Sequence, residues 1–180
     1  MITPPRQRFA VLPTPIEEMP RLSQTLNGPR LFIKRDDLTG LGFGGNKTRK
    51  LEYLLAEALS TGARTLITTG AVQSNHCRQT AAAAAHFGLD CILVLVGDLP
   101  DQYSGNLLLD HLFGAQLVWT TRSQRQQALE STFTQALNQS RRPYLVPYGG
   151  SSPIGACAYA FAIQELIEQA SDFDWIVFAS

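Results

Sequence analysis

From residue 65 onward the chain alternates between short β-branched runs and longer helical patterns, and this alternation constrains the fold more than any other feature. Strand-like runs occupy residues 65–68, 91–96, 116–119, 144–146 and 175–179. Helix-like runs occupy residues 74–87, 104–113, 123–138 and 153–169. Strands separated by helices of this length build a parallel sheet, because only a crossover helix returns the chain to the same sheet end. Gly88 and Gly114 stand where helix C-caps belong. The expected fold class is therefore α/β, a parallel sheet with helices on both faces.

The front of the chain reads differently. Residues 1–29 are rich in proline and read as an extended arm with turns. Residues 31–35 read as a strand and residues 36–46 as a glycine-rich loop. Leu51, Leu54, Leu55, Ala58 and Leu59 then recur at helical spacing over residues 47–60, with Asn46 as the expected N-cap and Gly62 as the stop. At the far end, the apolar run 175–179 closes the sequence. Ligands in open parallel sheets bind beyond such strand ends. The chain therefore reads as a fragment whose site is incomplete.

Composition excludes some partners. Lys plus Arg and Asp plus Glu each number 15 in 180 residues, so there is no net charge to attract nucleic acid or an anionic membrane. Cys77, Cys91 and Cys157 fit no zinc spacing, and no metal site is expected. Met1 to Arg8 holds two prolines and no apolar run, which argues against a signal peptide and for a cytoplasmic protein. Only Lys34, Lys47 and Lys50 are lysines, so any lysine chemistry has three candidates.

The glycine loop, Gly40-Leu41-Gly42-Phe43-Gly44-Gly45-Asn46-Lys47-Thr48, invites two nucleotide readings. The dinucleotide pattern fails because Asp36, Asp37 and Thr39 precede it in place of a buried strand. The phosphate-loop pattern fails because Asn46 separates the last glycine from Lys47. A third reading treats Lys47 as an amine nucleophile. The partial positive charge at a helix start disfavours its ammonium, and neighbouring Arg49 and Lys50 act in the same sense. Taken alone, Lys47 reads more readily as a solvated first-turn lysine, since most helix-end lysines are exposed.

A second helix start follows Thr68 through Gln73-Ser74-Asn75-His76. Free backbone amides at such a start bind anions, and an amino-acid carboxylate is a suitable one. Ser74 is suited to hold it or pass a proton, and Asn75 to donate to a phenolate-type oxygen. Each is also an ordinary cap residue. A third turn, Tyr148-Gly149-Gly150-Ser151-Ser152-Pro153, has the same strand, glycine and helix-start order.

Three runs together are specific. Lys34-Arg35-Asp36-Asp37-Leu38, Gly44-Gly45-Asn46-Lys47-Thr48-Arg49-Lys50-Leu51-Glu52 and Gln73-Ser74-Asn75-His76-Cys77-Arg78-Gln79-Thr80-Ala81 resemble the D-cysteine desulfhydrase and 1-aminocyclopropane-1-carboxylate deaminase family. The resemblance continues into the Gly149-Gly150-Ser151-Ser152 turn. It implies a pyridoxal-5′-phosphate enzyme of the tryptophan-synthase-β-like fold. It also implies that Lys47 carries the cofactor as a Schiff base and that Asn75 contacts the cofactor's 3′-oxygen. Ser74 would act as a second catalytic residue, and Gln73, Ser74, Asn75 and His76 would line the substrate carboxylate site. His76 resembles the desulfhydrase branch, whereas the deaminase branch carries Gln there.

The expected reaction is conversion of D-cysteine to pyruvate, sulfide and ammonia, with the cyclopropane amino acid as the alternative substrate. A non-catalytic fragment is the other alternative, because the family's phosphate-binding loop would follow Ser180. The implied division is 1–45 as the N-terminal part of a large lobe, 46–160 as a small lobe and 161–180 as the start of the large-lobe sheet. A small amino-acid substrate and a homodimer complete the expectation, with no nucleic-acid or membrane partner.

Overall fold

The computed structural model describes residues 4–170 and 172–178. Its centre is a four-stranded sheet built from β3 (Thr65–Ala71), β4 (Asp90–Val96), β5 (Gln116–Thr120) and β6 (Pro143–Leu145). The strand order is β5-β4-β3-β6, and all three pairings are parallel. The connecting helices are α3 (Asn75–His86), α4 (Gly105–Leu112) and α5 (Arg125–Asn138). Before the sheet come β1 (Ile16–Glu18), α1 (Pro20–Leu26), β2 (Phe32–Lys34) and α2 (Lys47–Ser60); α6 (Pro153–Gln169) follows it.

The strands are apolar on both faces because both are covered. Leu66, Cys91, Leu93 and Leu95 point to one side, where they meet Leu51, Leu54 and Leu55 of α2, the alanines of α3 and Leu107 of α4. Ile67, Ile92 and Val94 point to the other, against Leu129 and Ala136 of α5. The run Ala81–Ala85 thus has a packing purpose, since small side chains bring α3 close to the sheet. Strand β3 runs three residues beyond its expected end at Thr68. Its threonines satisfy their hydroxyls on neighbouring carbonyls: Thr68 donates to Val146 O at 2.9 Å and Thr69 to Val94 O at 2.7 Å. That lets polar residues continue inside the sheet.

Three expectations are corrected. The proline-rich arm contains β1, which pairs antiparallel with β2 in the register Ile16↔Lys34, and α1, which Pro20 opens at its first turn. Asn46 precedes α2 but makes no side-chain cap; its Nδ2 donates instead to Tyr159 Oη at 2.8 Å. Finally, Trp175, Ile176, Val177 and Phe178 form no strand and are exposed, Trp175 by 87%. A strand exists only through ladder hydrogen bonds, and no described strand pairs with these residues. Ala179 lies outside the described residues.

Two carboxylates fasten the front of the chain to the sheet layer. Buried Glu52 of α2 accepts from the amides of Phe9 and Ala10, both at 2.8 Å, and from Arg6. Arg49, also buried, reaches the other way. It donates to Asp36 at 2.8 and 2.9 Å and to both oxygens of Glu165 of α6 at 2.9 Å. Lys34 of β2 also binds Glu165. The sequence reading placed Arg49 beside Lys47 as a pKa-lowering cation. The structure turns it into this network, where two carboxylates neutralise it.

Burial alone would raise the Glu165 carboxyl, but the bonds from Arg49 and Lys34 hold it down to about 2. Its contribution to stability is therefore complete above the ordinary value of 4.5 and is lost as pH falls toward 2. Removing the Glu165 charge leaves buried Arg49 with Asp36 alone and takes the carboxylate from Lys34. Glu165→Gln is expected to lower stability by about 3 kcal/mol at pH 7, measured by urea unfolding. A loss below about 1 kcal/mol would mark the network as ordinary surface pairing.

Candidate functional site

Strands β3 and β6 are parallel neighbours, in the register Thr65↔Pro143 and Ile67↔Leu145. Their C-terminal ends therefore lie on one edge of the sheet. From β3 the chain enters the loop to Ser74 and α3. From β6 it enters a 3-10 turn at Tyr148–Gly150 and then α6. This edge is where a parallel sheet offers a ligand crevice.

The first turn of α2 is brought to the same place. A Cβ on Gly149 would lie 4.0 Å from Lys47 Nζ, and Gly149 has a left-handed φ of 62°. The Lys47 amine is thus faced by a backbone turn that carries no side chain. Lys50 reaches the same turn, with its Nζ 3.3 Å from Gly149 O and 3.4 Å from Ser151 Oγ. The three lysines are sorted by their partners. Lys34 is bound by Glu165, Gln169 and Thr14 O. Lys47 has no hydrogen-bond or ion-pair partner among the described residues. Burial, then the cation of Lys47, pushes the Lys50 amine down.

The glycine loop is held rigidly before Lys47. Thr39 Oγ1 bonds both the amide and the carbonyl of Gly45 at 2.9 Å. A Cβ on Gly44 would stand 1.8 Å from Asp37 O, so no other residue fits there. The start of α2 is capped from α3: Gln79 Oε1 accepts from both the amide and the hydroxyl of Thr48 at 2.7 Å. Arg78 donates to Gly44 O at 2.6 Å. Neither Arg78 nor Gln79 received a role from sequence. Their positions, three and four residues after Asn75 on one helix face, were the available signal.

At the start of α3, Ser74 Oγ accepts from the amide of Cys77 at 3.2 Å and caps the helix. The amides of Asn75 and His76 donate to no acceptor among the described residues. Asn75 is exposed. His76 is buried beneath the site, with Nε2 2.9 Å from Thr68 Oγ1. Burial first, then the cations of Lys47 and Lys50, holds its imidazole down to about 4, so it is neutral at pH 7. The Gln73 side chain is turned away to α4: Nε2 donates to Ser104 O at 3.1 Å and Oε1 accepts from the amide of Asn106 at 2.8 Å. The structure thus gathers Lys47, Ser74 and Asn75 around one sheet edge, with His76 behind them and the Gln73 carboxamide engaged elsewhere. No group of three metal-ligating side chains occurs among the described residues, and no described helix is long and apolar enough to cross a membrane.

This geometry fits a flat, anionic, aldehyde-bearing cofactor. An amine without an acidic partner faces a glycine turn, whose missing side chain lets a flat group approach the backbone closely. Two free amides and an exposed carboxamide stand at a helix N-terminus, which suits anionic oxygens.

Comparison with known proteins agrees. A family model described as pyridoxal-phosphate dependent enzyme matches residues 8–180. D-cysteine desulfhydrases from Salmonella typhimurium and Salmonella typhi are each 45% identical over 174 residues, which cover 93% of this chain and 53% of theirs. The chain thus spans about half the length of the curated relatives it matches. A solved structure of an ACC deaminase homologue is 43% identical with a TM-score of 0.86, over 93% of this chain and 52% of that one. Cysteine synthase from Entamoeba histolytica shares the fold at 18% identity and a TM-score of 0.65, over 94% of this chain and 52% of its own. The parallel sheet expected from sequence is the sheet of these tryptophan-synthase-β-like enzymes.

One buried acid lies behind this machinery. Asp110 of α4 is fully buried, and neither carboxyl oxygen has a partner among the described residues. Burial pushes it up to about 7, against the pull of Arg78. The folded state thus keeps a proton that the unfolded chain loses near 3.8, so stability falls as pH rises from there to about 7. Asp110→Asn is expected to flatten this decline and to raise the urea midpoint at pH 8 more than at pH 5. Equal shifts at both pH values would contradict it.

Proposed function

Because the chain belongs to the pyridoxal-phosphate-dependent enzyme family, we propose that Lys47 carries the cofactor covalently through Nζ and that the site acts on a small amino acid, D-cysteine in the first instance. The observation that supports this most is the lone Lys47 amine under the Gly149 turn, beside the open start of α3. When bound, the cofactor supplies an electron sink for negative charge at the substrate α-carbon.

The chain's own residues do the rest. The free amides of Asn75 and His76 hold the substrate carboxylate, and Ser74 stands beside them. This orients the α-carbon and selects the bond that breaks. Asn75 would hold the cofactor's 3′-oxygen. The Lys47 amine would move the α-proton through Nζ. Neutral His76 supports this arrangement from below, since a cation there would compete with Lys47 for the same anions. Its backbone amide contributes to the carboxylate site more directly than its imidazole does.

For D-cysteine the products are pyruvate, sulfide and ammonia. The 43% identical ACC deaminase homologue supports one alternative, ring opening of 1-aminocyclopropane-1-carboxylate to 2-oxobutyrate and ammonia. A chain of large-lobe segments at 1–45 and 161–180 around a small lobe at 46–160, a homodimer and a cytoplasmic location belong to the same reading and rest on the family.

The test is product formation by the chain joined to the complementary half of the Salmonella typhimurium enzyme. With pyridoxal phosphate, pyruvate from D-cysteine is expected to exceed 2-oxobutyrate from the cyclopropane amino acid. Lys47→Ala is expected to lower kcat by about 10³-fold or more. Preference for the cyclopropane substrate would favour the deaminase alternative. Full activity of Lys47→Ala would overturn the lysine assignment.

A further inference from the structure

Asn106, the second residue of α4, hydrogen-bonds neither Lys47 nor Ser74, yet it is the hub of the α3 start. Its Nδ2 donates to Gln73 O at 2.7 Å and to Asn75 Oδ1 at 2.9 Å. Its backbone amide donates to Gln73 Oε1 at 2.8 Å. Its Oδ1 accepts from Arg78 Nη1 at 3.3 Å, and Arg78 in turn holds Gly44 of the glycine loop.

The direction of every bond follows from groups whose polarity is fixed. Gln73 O is a carbonyl and only accepts, so the Asn106 atom facing it is Nδ2. The Arg78 guanidinium only donates, so the atom facing it is Oδ1. With Asn106 set at both ends, the Asn75 atom that meets Nδ2 is Oδ1. The Asn75 side chain then retains a single polar group outward, the Nδ2 donor, which has no partner among the described residues. Gln73 is fixed in the same way by Ser104 O and the Asn106 amide. Close approach is required for this: a Cβ on Gly105 would lie 2.6 Å from Gln73 Oε1, at a φ of 55° that side chains rarely adopt.

We propose that Asn106 is a positioning residue that locks the Asn75 carboxamide with its N–H groups toward the ligand, so that the ligand atom at this position must be an acceptor. This rests on the pyridoxal-phosphate reading for the identity of that ligand. The locking itself belongs to the chain alone. The resulting rule is chemical: the site selects an anionic or lone-pair oxygen beside Asn75 and rejects a donor. Asn106 accomplishes this from α4, so the helix after β4 joins the loops after β3 and β6 and the first turn of α2 in building the site.

Asp at position 106 keeps the shape but has no donor. In Asn106→Asp the carboxylate faces Asn75, whose amide turns to offer it Nδ2 and shows Oδ1 to the ligand. In the chain joined to its complementary half, Asn106→Asp is expected to weaken pyridoxal-phosphate binding about tenfold, as expected for one lost hydrogen bond, and to move the pH midpoint of the cofactor's absorption band. In an Asn75→Ala background the same substitution is expected to change binding less than about twofold. Equal weakening in both backgrounds, or none in either, overturns the proposal.

A second measurement needs no cofactor. In NMR hydrogen exchange of the 180-residue chain, the Asn106 carboxamide protons are expected to be protected and those of Asn75 unprotected. Protected Asn75 protons with free Asn106 protons would overturn it. Absence of any cofactor band in the unsubstituted enzyme, with this exchange pattern intact, defeats the pyridoxal-phosphate reading and leaves the locking standing.

Discussion

The parallel pairing of β3 with β6 is the constraint on which the rest depends. It is long-range, joining residues 65–67 to 143–145, and it sets two otherwise unrelated loops side by side. Without it, the Ser74 helix start and the Gly149 turn would share no site. Thr68 strengthens the junction, since its hydroxyl donates to Val146 O and also meets His76 Nε2. The side chain that closes the sheet is therefore also the one that fixes the imidazole beneath the site. Helix α2 completes the arrangement by laying its first turn against the same glycine turn.

The site is organised by polar groups that have no choice of direction. Backbone carbonyls, backbone amides and guanidinium groups set the orientation of Gln73, Gln79 and Asn106, and these in turn orient Asn75 and the start of α2. Unassigned groups stand out against this order. Lys47 has no partner among the described residues, and two amides of α3 are open. The open groups of Lys47 and the α3 start lie on the side where a ligand is expected, whereas Asp110 is an unpartnered acid buried behind them.

Much of this was legible in the sequence, and the reason differs from element to element. Helices α3 to α6 and strands β3 to β6 were readable because their apolar periodicity matches a sheet covered on both faces. The helix starts that hold Lys47, Ser74 and Asn75 were readable because each follows a glycine or small-residue loop. The partnerships were not readable. Arg49 looked like a neighbour of Lys47, yet a helix turns successive residues about 100° apart, so its side chain leaves for Asp36 and Glu165. The side-chain partners of Gln73, Ser104 and Asn106, lie about thirty residues later, a separation no local pattern reports. The run 175–179 had strand composition, and composition does not supply a neighbour to pair with.

The central claim is that Lys47 alone among the three lysines binds the cofactor. The most direct measurement is borohydride reduction of the pyridoxal-phosphate-loaded chain, joined to its complementary half, followed by peptide mapping. The account predicts a pyridoxyl group on the peptide that holds Lys47. A pyridoxyl group on Lys34 or Lys50, or none at all, would contradict it.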